Sequence, residues 1–317
     1  MSKQIFQKTA RSIIKLILPF LAKLFLKLRV NRRVINYLSE KSFDSNNYYD
    51  FSSIIQMLLK KEKIFSMDVG AQGGFNSELY FNSKYNRFFE PIMIEPIEEE
   101  YKKLKNNYKY VLNKGLWSSE EKKKIFILGN RLGSSSMYEP DKDFLNIHGI
   151  NEKDISKFDV TETKEVDCTT IDASLKILDI NKLDYLKIDT QGSELEILKG
   201  MKLFRPVLIR TEVHVFSMYK NVPPWSDLLT YFNDLDYMAC DWKGIGSHST
   251  RIPAEMDLVF IPDYRKSNGK NIIIENKNKF VALMFIFGQL ELLKKISKHL
   301  NLDSAEIIDK YEDRFFS

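Results

Sequence analysis

Cysteine is scarce in this sequence, and its scarcity excludes two classes of protein. The 317 residues include two cysteines, Cys168 and Cys240, and neither belongs to a Cys-x-x-Cys pair. Two cysteines are too few for a disulfide framework or for a structural zinc site made of cysteines. So low a number fits a reducing compartment, and we expect a cytoplasmic protein.

The chain also lacks a large excess of charge of either sign. The chain carries 48 lysines and arginines against 43 aspartates and glutamates, a formal net charge of only +5. It lacks the basic blocks that are typical of nucleic-acid-binding tails, so we expect no nucleic-acid partner. Apolar residues make up 44% and aromatic residues 13% of the chain, enough for a substantial core. We therefore predict a folded globular protein.

Residues 1–33 lack the long uninterrupted apolar run of a membrane-spanning helix. On a helix, Lys15, Lys23 and Lys27 would fall on one side and most of the leucines and isoleucines on the other, and Pro19 would kink its middle. This pattern predicts a basic amphipathic helix in peripheral contact with the inner face of a membrane. Packing against protein is the alternative. A signal peptide is a weaker interpretation, because no small-residue cleavage site follows.

The most informative stretch is residues 64–75, which reads Ile-Phe-Ser-Met-Asp-Val-Gly-Ala-Gln-Gly-Gly-Phe. An apolar run with β character ends at Gly70, and a glycine pair leads into residues 77–85. The pattern predicts a strand, a glycine turn and a helix. In open α/β folds, ligands bind at such a junction, beyond the carboxyl ends of the strands.

A second strand, acid and glycine unit occupies residues 183–194, where a nearly apolar run enters Asp-Thr-Gln-Gly-Ser-Glu. Strands and helices alternate between the two units and beyond them. This alternation predicts an α/β fold with a mostly parallel sheet and helices on both faces. Residues 280–299 are apolar at helical spacing, and they can either cover the sheet or form a homo-oligomer contact.

Two acids indicate the kind of ligand. Asp68 lies in the first predicted strand, and Glu95 ends the second, where its carboxylate can accept two hydrogen bonds from a ribose diol. The glycine spacing is Gly-x-x-Gly-Gly, not the Gly-x-Gly-x-x-Gly of a pyrophosphate cradle, and no Walker lysine is present. Asp68 would repel a phosphate but attract a sulfonium or an ammonium. The pattern therefore favours S-adenosylmethionine over a dinucleotide.

Four separated blocks carry a resemblance to a known family. They are Met-Asp-Val-Gly-Ala-Gln-Gly-Gly-Phe, Ile-Glu-Pro, Asp-Tyr-Leu-Lys-Ile-Asp-Thr-Gln-Gly-Ser-Glu-Leu-Glu-Ile-Leu-Lys-Gly and Arg-Thr-Glu-Val-His. In this order they resemble the FkbM family of S-adenosylmethionine-dependent methyltransferases. The resemblance implies the Rossmann-like class I methyltransferase fold with a seven-stranded, mostly parallel sheet. Gln72 and Gln191 stand where the family usually has Asn and Glu.

The resemblance covers residues 64–261 and not the two ends, and together with the patterns of those ends it predicts a division of the chain. Residues 1–33 form the basic amphipathic helical segment, and residues 34–265 form the methyltransferase domain, whose motif core spans residues 64–261. Residues 276–317 form a C-terminal helical extension.

The same resemblance assigns residues to the cofactor. Asp68, Gly70 and Gly74 would line its methionine end, Glu95 would hold the ribose, and the adenine would lie at the end of the third strand. The full predicted set is Asp68, Gly70, Ala71, Gly74, Glu95, Pro96, Leu116, Trp117, Ser118 and Asp189.

Four residues are candidates for removing the proton of the methyl acceptor: Asp189, Glu194, Glu212 and His214. All are expected near the cofactor side of the sheet. His214 can act as a base near neutral pH, although a histidine at a strand end is as often a wall residue. Asp189, Glu212 and His214 can alternatively bind a divalent metal through oxygen and nitrogen. A metal-free site is the primary prediction.

We therefore predict an S-adenosylmethionine-dependent O-methyltransferase. Its acceptor would be a hydroxyl of a sugar, a glycan or a small natural product, within surface-glycan biosynthesis. One alternative is a non-catalytic scaffold protein of a glycan assembly complex. The other is an NAD-type oxidoreductase, which the missing pyrophosphate fingerprint disfavours.

Overall fold

A computed structural model describes residues 50–147, 155–247 and 253–304. The predicted amphipathic segment at residues 1–33 lies outside the described residues, as does the C-terminal extension beyond Ser304. Within the described ranges, no helix has both the length and the apolar character needed to cross a bilayer.

Strands and helices alternate along the chain, as predicted. The strands are β1 Ile64–Val69, β2 Phe89–Ile94, β3 Tyr110–Leu112, β4 Gly115–Leu116, β5 Glu121–Ile127, β6 Glu162–Thr169, β7 Tyr185–Ile188, β8 Leu208–His214, β9 Tyr237–Ser247 and β10 Pro253–Pro262. The α-helices are α1 Ser52–Leu59, α2 Glu98–Lys105, α3 Lys142–Ile147, α4 Ile171–Ile177, α5 Glu194–Lys199, α6 Trp225–Asp234, α7 Ser267–Glu275, α8 Lys277–Ile286 and α9 Leu290–Leu300.

The large sheet has seven strands in the order β3-β2-β1-β7-β8-β10-β9. Strands β1, β2, β3, β7 and β8 are parallel, whereas β10 is antiparallel to both β8 and β9. The structure thus confirms an α/β fold with a large, mostly parallel sheet.

The stretch at residues 110–116, which leads to Leu116, Trp117 and Ser118, is divided between two sheets. Residues 110–112 belong to the large sheet, whereas Gly115 and Leu116 pair with β6 in a separate sheet of order β4-β6-β5. The pairing at Gly115 is close, because a Cβ atom there would lie 2.4 Å from Met137 Cε and 2.7 Å from Cys168 Sγ. Glycine therefore allows the chain to approach β6 at this residue.

The central strands of the large sheet have one apolar and one polar face, and both are buried. Side chains alternate along a strand, so Val69, Ile188 and Val213 share one face, where they pack in a core with residues of α4, α5 and α6. The other face carries buried charged and polar side chains. These are Asp68, Lys187, Arg210, Glu212, His214, Glu255 and Asp257. Such groups are stable inside a protein only when they are paired, neutral or bound to a ligand.

The prediction of a helix over residues 77–85 is wrong. Asn76 and Leu79 have φ angles of 54° and 52°, which interrupt the hydrogen-bond ladder of a right-handed helix. The chain instead makes turns, followed by a 3₁₀ helix at Ser83–Phe88. The glycine turn therefore does not end at a helix N-terminus.

The described residues form two compact units. One contains residues 61–78 and 86–280, with both sheets. The other contains residues 50–60, 79–85 and 281–304, where the rings of Phe51 and Phe285 lie 5.1 Å apart. The apolar stretch predicted as helical between residues 280 and 299 is divided between α8 and α9, because Gly288 has a φ of 68°.

Candidate active site

A cleft opens at the carboxyl ends of β1, β2 and β7, within the unit that contains both sheets. One part of its lining is apolar and comprises Val69, Ile94, Ile97, Leu116, Ile125, Leu132 and Met137. The other part is polar and comprises Gln72, Glu78, Glu95, Lys114, Ser135, Lys187, Asp189, Thr190 and Ser193. The location is the one predicted for a ligand of an open α/β sheet.

Gly70 brings the loops after β1 and β7 into contact. Its φ is 75°, and a Cβ atom at this position would lie 2.0 Å from the carbonyl oxygen of Asp189. No other residue avoids that overlap without moving one of the loops. Glycine is therefore required here, and the close approach places Asp68 and Asp189 side by side.

Lys187 lies between these two acids and was not among the predicted site residues. Its Nζ atom lies 3.1 Å from Asp68 Oδ1 and 3.5 Å from Asp189 Oδ2, and it donates a hydrogen bond to the Gly70 carbonyl at 3.1 Å. Burial lowers the pKa of Lys187, but Asp68 and Asp189 raise it further, so the net shift is upward. The sequence signal was a single lysine inside an otherwise apolar strand.

Asp189 is ionised at neutral pH. Burial raises its pKa, but the charges of Lys187 and Arg210 and hydrogen bonds with Glu78 and Gln191 outweigh burial and bring the pKa to about 2. The Gln191 Nε2 atom donates to Asp189 Oδ1 at 3.2 Å. The cleft consequently has a permanent negative charge beside the glycine turn.

Glu95 follows β2, and only 3% of its surface is exposed. The backbone N–H of Ile97 donates to its Oε1 atom at 2.9 Å. Burial raises the pKa of Glu95 to about 7, against a partial lowering by that hydrogen bond. Pro96, the next residue, also lines the cleft. The structure thus places both Glu95 and Pro96 in the lining of the cleft.

Some other predicted cofactor residues do not line the cleft. Leu116 does, but the Trp117 ring lies tilted beside Tyr138 with ring centroids 5.9 Å apart, and Ser118 Oγ donates to Glu196 Oε2 at 2.9 Å. Asp68, Ala71 and Gly74 belong to β1 and the glycine turn but are not part of the lining. Their predicted contacts with a cofactor stay predictions.

Among the four candidate bases, Asp189 is the one that lines the cleft. Glu194 lies beneath the second glycine turn, where its carboxylate accepts hydrogen bonds from the backbone N–H groups of Thr190 and Gly192, each at 2.9 Å. These contacts fix the turn. Through these hydrogen bonds Glu194 anchors the loop that follows β7.

Glu212 and His214 lie behind Gln191, whose Nε2 atom donates both to Asp189 and to Glu212. Burial raises the pKa of Glu212 well above its ordinary value. Burial also lowers the pKa of His214 to about 4, so its imidazole is neutral at physiological pH. Neither Glu212 nor His214 belongs to the lining of the cleft.

The antiparallel pairing of β8 and β10 adds an acid that sequence reasoning missed. Glu255 lies directly opposite His214, and Asp257 lies opposite Glu212. Ligand atoms of Glu212, His214 and Glu255 fall within 4.8 Å of one another. The metal-ligating set predicted from the sequence is corrected accordingly, because Glu255 takes the place of Asp189 in the convergent group.

Arg210 is a second buried cation that was not predicted. It donates to Asp257 through Nε at 3.2 Å and through Nη2 at 2.9 Å, and it also pairs with Glu78 of the glycine loop. A two-pronged pair of this kind is strong and directional. It ties the cleft-lining loop to the sheet.

Residues 132–137 form one wall of the cleft. Leu132–Ser134 is a 3₁₀ helix, and Ser136 is 2% exposed. The Ser136 hydroxyl donates to the Gln191 carbonyl at 2.7 Å, and the Tyr219 hydroxyl donates to the Ser134 carbonyl at 2.7 Å. The wall is thus fastened at both of these serines.

Comparison with known families assigns the chain. The model of the Methyltransferase FkbM domain matches residues 68–238, more than half of the sequence. No curated protein matches the chain significantly. The matched region begins at Asp68 and contains the glycine turn, Glu95, Asp189 and His214. The chain therefore belongs to the FkbM family of methyltransferases.

Proposed function

We propose that this protein is a class I, S-adenosylmethionine-dependent O-methyltransferase that acts on a hydroxyl of a carbohydrate or a small natural product. The observation that carries the proposal is the composition of the cleft, which joins an apolar floor to carboxylates at the carboxyl ends of three parallel strands. The seven-stranded sheet with its parallel centre supports the class I fold.

The charges of the cleft fit a cationic ligand. Glu95 and Asp189 bring two carboxyl groups to the lining of the cleft, and the ammonium of Lys187 lies between Asp189 and Asp68, whose carboxyl group is outside that lining. A pyrophosphate at this place would meet like charge. A sulfonium and an amino-acid ammonium would meet opposite charge, and the apolar lining around Leu116 suits an adenine ring.

Glu95 is suited to hold a ribose. One carboxylate oxygen is fixed by the Ile97 N–H, which orients the group toward the cleft that it lines. An ionised carboxylate accepts two hydrogen bonds from a vicinal diol, as in other nucleoside sites at the end of a second strand. The ribose hydroxyls would stabilise the ionised form of Glu95.

S-adenosylmethionine, when bound, supplies a methyl group activated by a sulfonium. The protein then has to position the acceptor hydroxyl in line and remove its proton. Asp189 is ionised and lines the cleft, so we assign it the hydrogen bond from that hydroxyl. Because its pKa is about 2, it is a weak base and takes the proton as the new bond forms.

The acceptor class is supported by the polar part of the lining. Gln72, Glu78, Ser135 and Thr190 can donate to or accept from hydroxyl groups, as a sugar requires. The basic amphipathic pattern of residues 1–33 supports an acceptor carried at the inner face of a membrane, as in surface-glycan assembly.

Calorimetric titration with S-adenosylmethionine and S-adenosylhomocysteine tests the cofactor, with NADH as the control ligand. We expect micromolar dissociation constants, about −8 kcal/mol, for the first two and none for NADH. Sugar acceptors are then screened with an isotope-labelled methyl donor, because the chemical shift of the transferred methyl group distinguishes oxygen from nitrogen acceptors. Binding of NADH alone, or of no ligand by a folded protein, would contradict the proposal.

A further inference from the structure

We propose that Glu212, His214 and Glu255 form a binding site for a divalent transition-metal ion such as Mn²⁺ or Zn²⁺. The site lies behind the methyl-transfer cleft and is separate from it. The inference does not depend on the identity of the cofactor or the acceptor.

The sheet itself brings the three side chains together. Glu212 and His214 are two residues apart on β8 and so project from the same face. Glu255 on β10 is the cross-strand neighbour of His214. The three ligand atoms lie within 4.8 Å of one another, and His214 Nδ1 is 3.7 Å from Glu255 Oε1. Rigid strands, not loops, hold this geometry.

The cluster contains polar atoms that are otherwise unsatisfied. Each of the three residues is at most 6% exposed. Within the described part of the chain, both ring nitrogens of His214 and the Oε1 atom of Glu255 have no hydrogen-bond partner. A buried polar group without a partner costs about 1–3 kcal/mol, so three such atoms in one cluster call for a ligand.

No cation of the described residues forms an ion pair with Glu212, and the one group within ion-pair distance of Glu255 is His214. The buried cations of the same face are already paired, since Arg210 contacts Asp257 and Lys187 contacts Asp68. Arg131 acts on Glu255 only from beyond ion-pair distance, so among the described residues neither carboxyl group has a lysine or arginine partner, and a divalent ion would provide one.

The donor set and spacing favour a transition ion. Ligands about 2.0–2.2 Å from a tetrahedral zinc ion stand about 3.3–3.6 Å apart, close to the 3.7 Å between His214 and Glu255. One imidazole and two carboxylates suit Zn²⁺ or Mn²⁺, whereas Mg²⁺ prefers oxygen ligands and several waters.

An ion at this site would also act on the cleft. It would fix the carboxylate of Glu212, which accepts a hydrogen bond from Gln191 Nε2, and the same amide group donates to Asp189. The metal would thus help to position Asp189 through Glu212 and the side chain of Gln191.

The full-length protein, treated with a chelator and then dialysed against Mn²⁺ or Zn²⁺, tests the site without any cofactor. We expect one bound ion per chain by elemental analysis and a higher melting temperature with added metal. Nitrogen hyperfine coupling in the electron spin-echo spectrum of the Mn²⁺ form would identify the imidazole ligand. No retained ion, or a bound Mn²⁺ without nitrogen coupling, would overturn the proposal.

The variants His214→Gln and Glu255→Gln should each weaken metal binding by at least about tenfold. Glu139→Gln is the matched control, because Glu139 is an exposed acid paired with Lys220, and its removal should leave metal affinity unchanged. Circular dichroism verifies that each variant folds. Should either variant fail to fold, the nitrogen coupling of the wild-type protein decides. Folded variants that bind metal as the wild type does would contradict the proposal.

Discussion

Asp68 and Lys187 face each other from neighbouring parallel strands, with 3.1 Å between Oδ1 and Nζ. The same ammonium is 3.5 Å from Asp189. One cation therefore lies between two acids, and this part of the cleft has a surplus of negative charge. That surplus is the basis of the proposed preference for a cationic cofactor.

Replacing Asp68 tests this surplus. Asp68→Asn should weaken S-adenosylmethionine binding by about ten- to a hundredfold, because a charge-assisted contact of about 1.5–3 kcal/mol is lost. The variant should also be less stable, since Lys187 loses a buried partner. Because Lys187 keeps Asp189 as its second partner, this loss of stability should be partial. Calorimetry and thermal denaturation measure both, and unchanged affinity in Asp68→Asn would remove the assignment.

Glu95 should make cofactor binding depend on pH. Its pKa is raised from 4.5 to about 7, so the folded protein binds a proton that the unfolded chain releases. Folding stability should therefore fall as pH rises from about 4.5 to about 7, by about 3 kcal/mol, and level off above.

Cofactor affinity should change in the opposite direction, because the ribose diol binds the ionised carboxylate of Glu95. Between about pH 6 and about pH 8 the ionised fraction rises about tenfold, and the association constant should rise with it. Glu95→Gln should bind more weakly and lose this slope. Calorimetry across the range checks the effect, and a slope that persists in Glu95→Gln would assign it to another group.

Gly70 can be compared with a second glycine of the cleft. Gly70→Ala places a Cβ atom 2.0 Å from the Asp189 carbonyl at a φ of 75°, so we expect a loss of stability of about 2–4 kcal/mol and loss of cofactor binding. In Gly133→Ala the nearest atom is Gln72 Oε1, the movable end of a side chain, at 2.8 Å. That variant should fold normally. Equal stability of the two would show that the close approach at Gly70 is unimportant.

Glu194 and Glu196 lie on the same helix and have different tasks. Glu194→Ala leaves the buried N–H groups of Thr190 and Gly192 without their acceptor, which should cost about 1–3 kcal/mol. Glu196→Ala breaks contacts with Ser118 and the exposed Lys199 and should cost about 1 kcal/mol or less. Urea denaturation compares them. Wild-type stability in Glu194→Ala, together with lost methyl transfer, would restore Glu194 as a catalytic residue.

The sequence allowed the centre of the fold to be predicted, because β1 and β7 have strong local signals. Each is a short apolar run followed by an acid and glycines, and together they locate the cleft. The helix at residues 77–85 was predicted wrongly, since nothing in the composition reveals the positive φ angles of Asn76 and Leu79. Backbone conformation at non-glycine residues is set there by tertiary contacts.

The polar partners of the site could not be predicted, for a different reason. Strand register decides which residues lie beside Lys187, Arg210 and Glu255. Glu255 faces His214 only because β10 runs antiparallel to β8, and a shift of one residue would turn its side chain to the opposite face. These two residues are more than forty positions apart in the sequence, and the register between such distant strands leaves no local signal in the sequence.

The hydrogen bond from Ser136 to the carbonyl of Gln191 fastens the cleft wall to the main chain. Its acceptor belongs to the backbone, so it survives any change of the Gln191 side chain. Ser135 also fastens the wall, because its Oγ atom accepts a hydrogen bond from the Leu128 N–H at 3.1 Å. Leu132 and Met137 line the cleft in the same segment, and their exchange leaves both of these hydrogen bonds in place. A library that randomises these two positions and retains Ser135 and Ser136 is the natural starting point for directing the enzyme toward new acceptors.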